Sequence, residues 1–256
     1  MLFIILFGMV MSLGLPIKGE KKMSIVKEDL KLDINRIVFI GRTYNEYIKM
    51  FDLSPKDLIN KNVLDCAGGA CSFTAHANKL GIQSTACDIA YYHHVNDLER
   101  KGLADIEHTM KHMEKVKENY VWDYFRDIDA LREERNRALK DCVEDIRTNP
   151  HHYQAVTLPL LPFKDKQFDM SISAHLLFMY SDRLDYQFHL KSIKELIRVT
   201  KKEIRIFPLT DLYGHKYNLL SQLIKDLKED IHLIEEVKVP YEFQKNANAM
   251  LVIKLK

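Results

Sequence analysis

At 256 residues, with 46% hydrophobic residues and a formal net charge of +2, the chain is long enough for one large α/β domain or one carrying an insertion. Lysines and arginines are mixed among acids along most of its length, so no basic stripe marks a nucleic-acid footprint and nucleic acid is disfavoured as a partner. The four cysteines, Cys66, Cys71, Cys87 and Cys142, form no C-x-x-C pair, which argues against disulfide and zinc frameworks and for a reduced, cytoplasmic chain.

The apolar run from Leu2 to Ile17 is short against the roughly 20 residues a membrane helix needs. It also lacks the basic flank and cleavage site of a secretory signal. In order of preference, residues 1–22 read as an artefact of start-site choice, with translation from Met23, as a weak anchor, or as a signal. No stable membrane insertion is expected. Residues 23–256 are expected to form a single domain.

After a lead-in over 24–40, "RTYNEYIKMFDLSPKDL" predicts a helix with Tyr44, Tyr47, Ile48 and Phe51 on one side, closed at Ser54-Pro55. "NVLDCA" is a buried strand, "SFTAHANKLG" a helix stopped by Gly81, and "IQSTACDIA" a second strand ending near Asp88. Strand, helix and strand at this spacing form a right-handed βαβ unit with a parallel pair. Residues 93–150 are charged and helical in pattern, with Leu103, Ile106, Met110 and Met113 on one apolar face and Trp122, Phe125, Ile128, Leu139, Val143 and Ile146 on others. So long a connection predicts a helical insertion above the carboxyl edge of the sheet, either a substrate-selecting lid or a structural cap.

Alternation then returns. "YQAVTL" and "FDMSISA" read as strands around the loop "PLLPFKDKQ". An amphipathic helix follows, capped by Ser181 or Asp182, with Leu190, Ile193, Leu196 and Ile197 inward. "EIRIFPL" is a strand and "YNLLSQLIKDLKED" a helix. The closing strands "IHLIEEVKVPYEF" and "AMLVIKLK" leave no room for a helix between them and should pair antiparallel.

The chemistry sits in the loops. Ligands bind open parallel sheets at the carboxyl ends of the strands, beside the switch in strand order. Gly68 and Gly69 follow the first strand there, and Asp88 stands 23 positions after Asp65, near the spacing at which an acid reaches a ribose diol. The loop lacks the third glycine that a pyrophosphate requires. An adenosine-type ligand without phosphates fits better.

With "VLDCAGG", "ACDIAY", "LPLLPFKDKQFDMSISA", "ELIRV" and "EIRIFPL" in this order, the chain resembles class I S-adenosylmethionine-dependent methyltransferases over roughly residues 41–256. The resemblance implies a Rossmann-like open, mostly parallel seven-stranded sheet with an antiparallel last strand, helices on both faces, and here a helical insertion in addition. It implies S-adenosylmethionine as cofactor and methyl transfer to an unidentified acceptor, with a small molecule preferred. By motif position, Asp65, Ala67, Gly68 and Gly69 would line the methionine portion, Asp88 the ribose hydroxyls and Ile89 the adenine. Thr157 and Leu158 would flank the adenine edge, and Ser173 and His175 would face the methyl group. The family's D-x-G-x-G-x-G is here D-C-A-G-G-A-C, a bulkier loop, and "VTKKE" replaces the usual proline-glycine turn before the fifth strand.

Each residue has a plainer reading. Asp65 could bond only loop amides, and His175 could be a satisfied pocket histidine rather than a general base. His108 and His112 lie four apart, but opposite the apolar face, so no metal is expected. Tyr44, Tyr47, Trp122 and Tyr124 could roof a sulfonium or simply pack. Two other functions compete: a non-catalytic module that keeps the cofactor fold for binding or scaffolding, and an NAD-dependent oxidoreductase.

Overall fold

The computed structural model describes residues 38–227 and 231–256. The apolar segment 1–22, most of the lead-in and the end of the helix expected to reach Asp230 lie outside the described residues. Seven strands form one sheet: β1 (Asn62–Cys66), β2 (Gln83–Asp88), β3 (Tyr153–Ala155), β4 (Phe168–Ala174), β5 (Thr200–Phe207), β6 (Ile231–Lys238) and β7 (Ala249–Leu255). Their order across the sheet is β3-β2-β1-β4-β5-β7-β6. Strands β1 to β5 pair in parallel, while β7 runs antiparallel to both β5 and β6. This is a Rossmann-like sheet with an antiparallel last strand, and the order reverses between β1 and β4.

The described helices are α1 (Tyr44–Met50), α2 (Pro55–Leu58), α3 (Phe73–Lys79), α4 (Val95–Met113), α5 (Ile128–Thr148), α6 (Tyr186–Val199) and α7 (Leu220–Asp226). Strand β1 is buried on both faces, as a central parallel strand must be. Val63 turns to a core built with Tyr47, Phe73, Ile106 and Leu139 from α1, α3, α4 and α5. Leu64 turns to a second core, built with Ile193 and Leu196 of α6 and Leu223 of α7. The aromatic rings of Tyr47 and Phe73 stack at 5.1 Å, a contact of about 0.5–1.5 kcal/mol beyond its buried area.

Several boundaries differ from the sequence expectation, each for a local reason. The first helix breaks after Met50, where Asp52 takes a φ of 45°, and restarts at Pro55. The strand expected over "YQAVTL" holds only three residues, because its neighbour β2 ends at Asp88 and turns into the 3-10 segment Ile89–Tyr92, leaving Val156 N to Asp88 O, at 3.2 Å, as the last bond between them. Helix α6 is capped by Asp185, whose carboxylate accepts from Phe188 N at 2.7 Å, rather than by Ser181 or Asp182. The seam of α4 is Leu98, Gly102, Ile106 and Met110, an i, i+4 ladder that leaves Leu103 49% exposed. The four cysteines are buried free thiols.

The motif "LPFKDKQFD" turns out to be structural. Arg198 of α6 donates to the carbonyls of Leu161 and Phe163 at 3.0 and 2.9 Å, and Leu161 N donates to Glu195. Asp169 accepts from Asn62 N at 3.0 Å, joining the starts of β4 and β1. These bonds hold the sheet in register from the edge opposite the candidate site.

Candidate ligand site at the carboxyl edge

Asp65 lies next to the end of β1, on the face of α1. It is fully buried, and its Oδ1 accepts from the Tyr47 hydroxyl at 3.2 Å while its Oδ2 has no partner. Burial pushes its carboxyl up to about 8; the Tyr47 bond opposes this and the neighbouring Asp88 adds to it. An unpartnered buried carboxyl oxygen is costly unless a ligand meets it.

The chain turns at Ala67, Gly68 and Gly69 into the loop before α3. Gly69 has a φ of 51°, a left-handed conformation that glycine adopts without a side-chain clash. Its amide donates to Asp88 Oδ2 at 2.9 Å, and Ala90 N donates to Asp88 Oδ1 at 2.8 Å. Asp88 therefore organises both the glycine loop and the turn after β2, and burial raises its carboxyl despite these amides. Each oxygen retains a second lone pair for a ligand hydroxyl. The Tyr91 hydroxyl donates to Gly69 O at 2.9 Å and holds the loop from behind.

Above this loop passes the segment that leads into α1. A Cβ on Gly41 would lie 1.8 Å from Ala70 O, so only glycine permits the two backbones to approach this closely. Ser72 N donates to Arg42 O at 3.0 Å, and Tyr44 N donates to Ser72 Oγ at 3.1 Å. The crossing segment thus takes up polar groups at the start of α3, where a pyrophosphate would bind in a dinucleotide site.

The remaining candidates lie around the same edge. Ile89 is partly buried in the 3-10 turn Ile89–Tyr92. Thr157 has a buried hydroxyl with no partner, and Leu158 packs against the second core. The Ser173 hydroxyl is also buried and unpartnered, but strand alternation turns it with Ser171 to the α6 face, opposite Asp65. His175 follows β4 with a φ of 54°, its ring 5.6 Å from that of Phe207 and its Nδ1 unpartnered. Burial, then Arg42 and Arg135, hold its imidazole well below the ordinary histidine range, so it is neutral at physiological pH and a weak base.

Of the four rings considered as a roof, Tyr47 lies under Asp65 and Tyr44 stacks on Phe73 at 5.7 Å. Trp122 packs on Phe243 at 5.4 Å and Tyr124 on Tyr241 at 5.5 Å, joining the β2–β3 connection to the β6–β7 connection. His108 and His112 are exposed on α4.

One cluster escaped the sequence reading. Glu46 and Arg135, 0% and 2% exposed, form a two-pronged ion pair at 2.7 and 2.9 Å. Tyr241 OH donates to the same carboxylate at 2.8 Å and Thr43 N at 2.9 Å. Only the Thr43-x-x-Glu46 capping box was legible beforehand; nothing local marks Arg135, 89 positions away. On the neighbouring turns of α5, Cys142 Sγ meets Gly69 O at 3.6 Å and Asp141 meets His76 at 2.8 Å, so α5 is fastened to the glycine loop.

No family model matches the chain. The uncharacterized protein MJ0045 of Methanocaldococcus jannaschii is 37% identical over 224 residues, 87% of this chain and 98% of that protein. Among solved structures, a SAM-dependent methyltransferase of Aquifex aeolicus aligns over 82% of this chain and 93% of its own at 12% identity and a TM-score of 0.40. A SAM-dependent methyltransferase of Methanosarcina mazei aligns over 80% and 98% at 14% identity and a TM-score of 0.43. The N-methyltransferase NodS of Bradyrhizobium japonicum, in complex with S-adenosyl-L-homocysteine, aligns over 83% and 84% at 12% identity and a TM-score of 0.41. No helix among the described residues is long and apolar enough to cross a membrane.

Proposed function

We propose that this chain, which belongs to the same family as MJ0045 of Methanocaldococcus jannaschii, transfers a methyl group from S-adenosylmethionine to a small-molecule acceptor. One observation carries the reading. Two buried carboxyls, Asp65 and Asp88, flank a glycine turn at the switch in strand order, and Asp65 Oδ2 is left without a partner. The segment over the start of α3 speaks against a phosphate-bearing dinucleotide in the same place.

The residues fit the cofactor as follows. Asp65 would face the cationic methionine end, where a positive charge would draw its carboxyl back into the ionised form. Asp88 would accept the ribose hydroxyls on its free lone pairs, with Ile89, Thr157 and Leu158 around the base. Ala67, Gly68 and Gly69 would let the ligand approach the backbone. When bound, S-adenosylmethionine supplies an activated sulfonium methyl, whose bond to sulfur breaks as the acceptor's lone pair attacks carbon and leaves a thioether behind. In-line positioning then supplies much of the acceleration, so a weak base such as His175 suffices as a contact near the acceptor.

Isothermal titration with S-adenosylhomocysteine tests the reading. Saturable binding is expected, and Asp88→Ala should weaken it by about 1–3 kcal/mol. Because Asp88 also holds Gly69 and Ala90, the variant's melting temperature must be measured alongside. A folded wild-type protein that ignores the ligand at millimolar concentration sinks the proposal. Binding without turnover on any acceptor panel would favour a non-catalytic module, and binding of NAD instead would favour an oxidoreductase.

A further inference from the structure

Arg42 lies in the segment crossing the glycine loop, its backbone held from both sides. Its amide meets Cys71 Sγ at 3.3 Å, and its carbonyl accepts from Ser72 N at 3.0 Å. Its guanidinium is poorly provided for. One terminal nitrogen makes long contacts of 3.3 and 3.5 Å to the carbonyls of its own neighbours Ile40 and Gly41. The Nε is buried with no partner.

Acids in the neighbourhood are already engaged. Glu46 feels the Arg42 charge, but both its oxygens are filled by Arg135, Tyr241 and Thr43. Asp105 accepts from Phe39 N at 2.8 Å and from Lys101. Among the described residues no carboxylate pairs with Arg42, whose charge reaches His175 at the end of β4.

A partly buried guanidinium with an unpartnered Nε and no paired carboxylate among the described residues is held at a cost that an anion would remove. Its planar fork matches a carboxylate or a phosphate through paired N–H bonds. His175 follows β4 at the same carboxyl edge, where the reacting end of an acceptor would stand. We propose that the methyl acceptor carries an anionic oxygen group, a carboxylate or a phosphate, bound by Arg42. The assignment rests on the methyltransferase reading of the same site.

The test titrates the full chain, alone and saturated with S-adenosylhomocysteine, with inorganic phosphate and with benzoate. Wild type should bind at least one probe saturably, and which probe binds distinguishes a phosphorylated from a carboxylated acceptor. Arg42→Gln should weaken that binding at least tenfold. Arg42→Lys, which keeps the charge but not the fork, should weaken it at least threefold. Wild type that binds neither probe, or Arg42→Gln that binds as tightly as wild type, overturns the proposal. Should the glutamine variant fail to fold by far-UV circular dichroism, wild type and the lysine variant decide the question alone. Arg42-dependent probe binding in a protein that ignores S-adenosylhomocysteine would overturn the acceptor assignment along with the methyltransferase reading, leaving only an anion site.

Discussion

Asp65 combines complete burial, one hydroxyl donor and one unpartnered oxygen, and burial lifts its carboxyl to about 8. The unfolded chain would ionise it near 3.8, so between these values the folded state holds a proton that the unfolded state releases. The stability it contributes is therefore complete below the lower value and is lost as pH rises toward about 8. Urea titrations at several pH values in this window should show wild type losing stability relative to Asp65→Asn, by at most about 1.4 kcal/mol per pH unit. Parallel slopes would show that Asp65 is ionised throughout. The same proton must leave if a cationic ligand end settles against Asp65, so S-adenosylhomocysteine affinity should rise with pH in wild type and level off in the variant. Asp65 was legible as a candidate site residue because strand, glycine turn and acid spacing are local. Its lifted proton affinity was not, because burial by Tyr47 and the second carboxyl is set by elements brought together in space.

At the scale of elements, α1 and α5 meet through the Glu46–Arg135 pair with Tyr241 from the β6–β7 connection closing it. Removing one partner leaves a buried charge without compensation, a loss of about 3–5 kcal/mol, whereas removing both with apolar replacements is often near neutral. Arg135→Met should therefore destabilise strongly, and Glu46→Leu in the Arg135→Met background should recover a large part of the loss. A denaturant double-mutant cycle measures this; additive losses would mean the pair is not coupled. The crossing segment makes a second junction, where Gly41→Ala should cost more than about 2 kcal/mol, since the added carbon meets Ala70 O of the backbone rather than a movable side chain. Thermal melts compared with an Ala substitution at exposed Asn45 check it. Periodicity located these helices and put Ile106 and Met110 on the buried face of α4, but it put Leu103 there in place of Gly102 and missed the partner of Glu46. Hydrophobic pattern reports that a face is buried, not which distant charge meets it.

Over the whole molecule, the segment between β2 and β3 is fastened to α1 by Arg135, to α3 by Asp141, to the glycine loop by Cys142, and to the β6–β7 connection by Trp122. Trp122 is the single tryptophan of the chain and packs on Phe243. Its fluorescence should therefore change in the same denaturant transition as the far-UV circular dichroism of the sheet and helices. Separated midpoints would show that the segment opens before the sheet does. The sequence by itself determined the βαβ start, the antiparallel close and the glycine turn between two acids, because these rest on periodicity, turn chemistry and spacing within a few dozen residues. Only the tertiary structure decided that Asp88 anchors the loop, that Ser173 and Asp65 face opposite sides, and that Arg42 stands without a carboxylate partner among the described residues. These depend on which strands adjoin and which helices cover them, and long-range packing leaves no mark in the local pattern.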